Sequence, residues 1–69
     1  MSTLVARWES RSGKWWAELY RDSLGYSYRA VGAGGVLGGA SEAEAVAEME
    51  KRLPLFQPDA AKTPMRRVL

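Results

Sequence analysis

The sequence predicts an α+β fold in which a three-stranded antiparallel sheet carries one helix on one face, in the order β-β-β-α. Three observations predict it. Apolar and polar residues alternate through residues 3–10, 13–21 and 26–31, the period of half-buried strands. Turn-forming residues, Ser12-Gly13 and Asp22-Ser23-Leu24-Gly25, separate these stretches. One capping-box pattern, Ser41-Glu42-Ala43-Glu44, then opens a stretch of helical period that runs to Leu53.

In the first strand Leu4, Ala6 and Trp8 alternate with Val5, Arg7 and Glu9. A two-residue turn at Ser12-Gly13 uses the positive φ that glycine accepts, and it sets Arg11 across from Lys14. Trp8 then faces Ala17, Ala6 faces Leu19, and Arg7 faces Glu18. The central strand, Gly13-Lys14-Trp15-Trp16-Ala17-Glu18-Leu19-Tyr20-Arg21, therefore has two unlike sides. Trp15, Ala17 and Leu19 suit a core, while Lys14, Trp16, Glu18 and Tyr20 suit a surface that meets a partner. A four-residue loop at 22–25 pairs Arg21 with Tyr26, Leu19 with Tyr28 and Glu18 with Arg29. Tyr28 and Ala30 thereby join the core side, and Ser27, Arg29 and Val31 join the other.

Gly32-Ala33-Gly34-Gly35-Val36-Leu37-Gly38-Gly39 holds five glycines in eight residues. Such a run disfavours a strand interior. It also lacks the Gly-Lys-Ser/Thr ending and the Gly-x-Gly-x-x-Gly pattern of phosphate loops. A bulged or flexible connection is expected, with Val36 and Leu37 pinning it to the core. In the helix, Ala45, Val46, Met49 and Leu53 form the apolar stripe, Glu48 and Arg52 form an i,i+4 pair, and Pro54 ends the element. Leu55 and Phe56 are expected on the core edge. The domain is thus placed at residues 1–56, followed by a basic tail, 57–69, that is expected to be flexible.

Composition narrows the chemistry. The 69 residues contain neither cysteine nor histidine. Disulfides and thiolate zinc ligands are therefore unavailable, and so are the commonest general base and the commonest metal ligand. Half of the acidic residues are spread over the exposed helix, which is a poor way to stage acid–base catalysis. A non-enzymatic protein without a cofactor or a bound metal is expected. A chain this short buries only about 60% of the surface its unfolded form exposes. Aromatic packing or self-association must supply the rest of its stability. No apolar run reaches signal-peptide or membrane-span length, so a soluble cytoplasmic protein with no membrane contact is expected.

The net charge of +2 is unevenly spread. Residues 1–31 hold five basic residues against three acidic, residues 40–53 two against four, and residues 54–69 three against one. An anionic partner would meet the sheet or the tail. Arg7, Trp16, Glu18, Tyr20 and Arg29 collect on one sheet face, with Glu18 between two arginines. That set suits duplex DNA, where arginine reads guanine and a carboxylate accepts from cytosine. It also suits a protein partner or a second copy of the chain, because Tyr, Trp and Arg dominate interface hot spots.

Over residues 4–53 the chain resembles the AP2/ERF DNA-binding domain, and it is similar to the arm-type DNA-binding domains of phage and transposon integrases. Gly13-Lys14-Trp15-Trp16-Ala17-Glu18-Leu19 follows the Gly-Lys-aromatic-x-Ala-Glu-aliphatic strand, and Ser41-Glu42-Ala43-Glu44-Ala45 opens the helix. The resemblance implies a sheet face docked in the major groove, with Glu18 and Arg7 at family positions. It departs where Tyr20 stands in place of an arginine and where Arg29 lacks the Arg-x-Trp pattern. A second resemblance, to HicB-like antitoxins, rests on short strands before a similarly capped helix, without their Pro-Gly segment.

Overall fold

The computed structural model describes residues 2–37, 41–58 and 62–69. Its elements are β1 (Thr3–Glu9), β2 (Trp16–Asp22), β3 (Gly25–Ala30), β4 (Ala33–Leu37), α1 (Glu42–Arg52), a 3-10 turn (Leu53–Leu55) and β5 (Arg66–Arg67). The fold is α+β, but the expectation of a three-stranded sheet is overturned. The sheet has five strands, ordered β4-β3-β2-β1-β5, and every neighbouring pair is antiparallel.

The inner strands keep the register expected from alternation. Ala6, Arg7 and Trp8 pair with Leu19, Glu18 and Ala17, and Glu18, Leu19 and Arg21 pair with Arg29, Tyr28 and Tyr26. The β1–β2 connection is wider than two residues. Gly13 N–H donates to Ser10 C=O, and the Ser10 and Trp15 backbones are joined at 2.8 Å, so residues 11–14 form the loop. Gly13 has φ 78°, the left-handed conformation this bend requires. A register shift between Leu4 and Ala6 exchanges two expected orientations. Leu4 lies opposite Tyr20 and is 37% exposed, whereas Val5 packs against the core.

The glycine-rich run supplies the fourth strand. Val31 and Gly32, the latter at φ 71°, turn the chain so that β4 returns along β3. Two contacts make a strand tolerable there. Leu37 is buried opposite Tyr26, and the Tyr28 ring covers Gly35 so closely that a Cβ at position 35 would lie 3.1 Å from it. An aromatic ring lying over a cross-strand glycine replaces the packing that the glycine lacks. Val36, expected to face inward, is 81% exposed. Gly38 and Gly39 lie outside the described residues.

The fifth strand comes from the C-terminal stretch. Met65 is buried, and the Gln57 side chain clamps the segment: it donates to Thr63 C=O and accepts from Met65 N–H at 3.1 Å. Arg66 and Arg67 then pair with Glu9 and Trp8, and Val68 N–H donates to Arg7 C=O at 2.8 Å.

Helix α1 starts at the expected Ser41 cap, with the Glu44 carboxylate meeting the serine hydroxyl where the capping box predicts a backbone N–H. Ser41 Oγ accepts from Glu44 N–H at 3.2 Å and donates to the Glu44 carboxylate at 3.1 Å. Its buried face, Ala45 and Met49, joins Leu53, Trp8, Ala6, Ala17, Leu19, Tyr26, Ala30, Leu37 and Met65 in one core. Small residues across the sheet, Ala17 and Ala30, leave room for the helix beside the large Trp8. Pro54 does not end the chain's curl at once, since it sits within the 3-10 turn. Phe56 packs against Tyr28, centroids 5.5 Å apart, while Leu55, expected on the core edge, is 82% exposed.

Candidate functional site

Because helix α1 covers one face of the sheet, the alternate residues of each strand form a second face of their own. The pairings arrange it in three cross-strand rows. Arg66, Glu9 and Trp16 make the first, Arg7, Glu18, Arg29 and Gly34 the second, and Leu4, Tyr20, Ser27 and Val36 the third. All five residues singled out from the sequence, Arg7, Trp16, Glu18, Tyr20 and Arg29, therefore share this face.

Four of the five are joined in a network. Arg7 reaches Glu18 at 2.5 Å and Glu9 at 2.8 Å, and its guanidinium lies over the Trp16 ring, 5.3 Å from the centroid. Tyr20 Oη donates to the second Glu18 oxygen at 2.7 Å. Both oxygens of Glu18 thus have donors, and the half-buried Trp16 and Tyr20 are held in place from the centre. Half-exposed ion pairs contribute at most about 1 kcal/mol each, so the network's main effect is to orient the aromatic rings. Arg29 stands opposite Glu18 in register but forms no ion pair with it. It is exposed and lines a shallow hollow of about 190 Å³ with Ser2, Tyr20 and Ser27.

The electrostatics follow from these contacts. Hydrogen bonding to Glu9, supported by Glu18, raises the Arg7 pKa above its ordinary value against the opposing effect of desolvation. The hydrogen bond to the Glu18 carboxylate raises the Tyr20 pKa, since ionising the phenol would remove the donor and set two anions together. Glu18→Gln is expected to bring the Tyr20 pKa down toward the ordinary tyrosine value of about 10, measured by ultraviolet phenolate titration. A raised folded-state pKa means that this stabilisation is complete below the unfolded value and fades as pH rises through the folded one. Tyr20→Phe should remove that alkaline component of unfolding. An unchanged titration in Glu18→Gln would refute the contact.

Beside the open face lies a basic rim, of which the strand pattern disclosed only Arg11 across from Lys14. The loop residues Arg11 and Lys14 form the tip of the β1–β2 hairpin, and β5 brings Arg66 and Arg67 alongside β1. Arg11, Lys62 and Arg66, with Thr63 and Pro64, line a cleft of about 460 Å³. None of Arg11, Lys14, Lys62, Arg66 and Arg67 takes part in an ion pair among the described residues. Lys14 instead lies over the Trp15 ring, 5.6 Å from its centroid. The signal available beforehand was the basic tally of residues 54–69, which could not be placed next to Arg11 without knowing that β5 returns to β1. Among the described residues, no three of His, Cys, Asp and Glu come together as a metal site. None of their helices is long and apolar enough to cross a membrane.

Compared with known proteins, the chain matches no family model, no curated protein and no solved structure.

Proposed function

We propose that this chain is a small non-enzymatic DNA-binding or accessory module, of the kind phage and mobile elements use, which meets the duplex with its open sheet face and basic rim. The observation that carries the reading is the gathering of five exposed cations, none held by an acidic side chain among the described residues, next to a face bearing Trp16, Tyr20 and Arg29. Cations of this kind neutralise phosphates and set the register of a protein on DNA. The face then contributes Arg29 as the arginine free to reach a base edge, with the rings of Trp16 and Tyr20 against sugars or thymine methyls. Arg7 and Glu18, already satisfied by one another, act by holding those rings.

Titration of duplex DNA across a salt series tests the proposal. If four or five cations contact phosphates, log K should fall against log salt with a slope of roughly −4. Arg11→Glu combined with Arg66→Glu should weaken binding of any sequence and flatten that slope by about 2, whereas Arg29→Ala should cost affinity mainly for a preferred sequence. No detectable binding at low salt would defeat the reading.

One observation favours a second reading, a protein-binding adaptor or inhibitor. The centre of the face is a pre-oriented Trp–Tyr–Arg cluster with balanced charge, the composition of an interface hot spot. In that case Trp16→Ala abolishes capture of a protein partner while the fold is kept, and salt has little effect on affinity.

A further inference from the structure

The two borders of the sheet are built differently. On the β1 side, β5 presents two arginines and β1 carries a register shift between Leu4 and Ala6. Charge and irregularity are devices that keep a sheet edge from pairing with another chain. The β4 border has neither. It is five residues long, Ala33-Gly34-Gly35-Val36-Leu37, with no charge, no proline and no register shift against β3. Its first four residues are exposed, and among the described residues no strand lies beyond it.

Ladder geometry says which groups this border offers. The β3–β4 hairpin closes on Ala30 and Ala33 across the two residues Val31 and Gly32. In an antiparallel ladder, pairs that exchange both hydrogen bonds alternate with pairs that exchange none. Ala33, Gly35 and Leu37 therefore bond inward to Ala30, Tyr28 and Tyr26. The N–H and C=O groups of Gly34 and Val36 point outward.

We propose that β4 pairs with β4 of a second copy about a two-fold axis through Gly35, joining two five-stranded sheets edge to edge. The sequence of the strand makes the second copy the fitting occupant. About that axis Gly34 faces Val36 of the second copy and Val36 faces its Gly34, so that the four outward groups on each strand are satisfied together. Each Val36 side chain, left in solvent in the single chain, lies over a glycine with no side chain of its own. Ala33 faces Leu37 of the second copy on the helix side. No charge meets its own image. The axis stands perpendicular to the sheet, so both open faces, with both copies of Trp16, Tyr20 and Arg29, look the same way.

Sedimentation equilibrium from micromolar to millimolar concentration, with amide exchange by NMR, tests the pairing. The expected mass rises from 7.6 kDa toward twice that value. The Gly34 and Val36 amides should become protected in step with dimer formation. Val36→Pro removes an outward donor without touching the β3–β4 ladder, a position where an edge strand accepts proline. Val36→Lys places a charge on an exposed site of the same border. Both should remain monomeric, and the lysine variant, which alters no backbone group, should keep the circular dichroism and melting temperature that the wild type shows at the low concentrations where it is monomeric. The proposal fails if the wild-type chain stays monomeric throughout. It fails equally if the dimer leaves the Gly34 and Val36 amides unprotected, or if Val36→Lys dimerises as the wild type does.

Discussion

Trp8→Ala is expected to leave the chain mostly unfolded at room temperature. Trp8 is only 1% exposed, and it stands on the core face of β1 between Ala17 and β5. It shares one core with Ala17, Ala45 and Met49, none of which has the volume to replace an indole. Truncating a buried tryptophan costs about 3–5 kcal/mol. A domain of this length has a total stability on the order of 3–10 kcal/mol, which the single change can consume. Trp16→Ala provides the internal comparison. It removes a half-buried ring from the open face and should shift the melting temperature far less. Thermal and urea unfolding followed by circular dichroism would decide the matter. If both variants melt close to the wild type, or Trp16→Ala is the more damaging, the two faces have been assigned the wrong way round.

Gln57→Ala should detach the fifth strand. Gln57 is 2% exposed, and its amide serves both ends of the segment that follows, donating to Thr63 C=O and accepting from Met65 N–H. Truncation leaves backbone groups beside the buried Met65 without those partners, at a cost of about 1–3 kcal/mol. The two-residue β5 has little ladder of its own with which to resist. The expected signature is local. Amide protection should fall at Met65 and Val68, while β2 and β3 lose only what the global change in stability dictates. Because β5 brings Arg66 to the basic cleft, the same variant should also weaken DNA binding under the proposed function. A Val68 amide as protected as before would show that Gln57 is not the clamp.

These two residues differ in how legible they were. Trp8 could be placed in the core from alternation alone, because a strand with one buried face repeats every second residue and a one-residue slip would expose the whole set. The same reasoning brought Arg7 opposite Glu18 and Glu18 opposite Arg29, and the pairings agree. Gln57 carried no such signal. A polar residue between phenylalanine and proline reads as loop until the chain is seen to fold back on it. The glycine run misled for a related reason. Glycine weakens a strand intrinsically, but a Tyr28 ring from the next strand supplies the missing packing, and residue preferences do not report cross-strand neighbours. The exchange of Leu4 and Val5 was invisible too, since an irregular register leaves no mark on an alternating pattern.

The local order of the chain is written in its residues: three alternating strands, their mutual register, and a helix capped at Ser41. Each depends on residues close along the chain, on turn chemistry, or on a period that one buried face enforces. The width of the sheet, the return of the chain's end and the full set of cations beside the open face follow from the folded arrangement alone. Those features arise from contacts between distant segments, Tyr28 over Gly35, Gln57 around Met65, Arg66 beside Arg11. Such contacts exist only once the core has drawn the segments together.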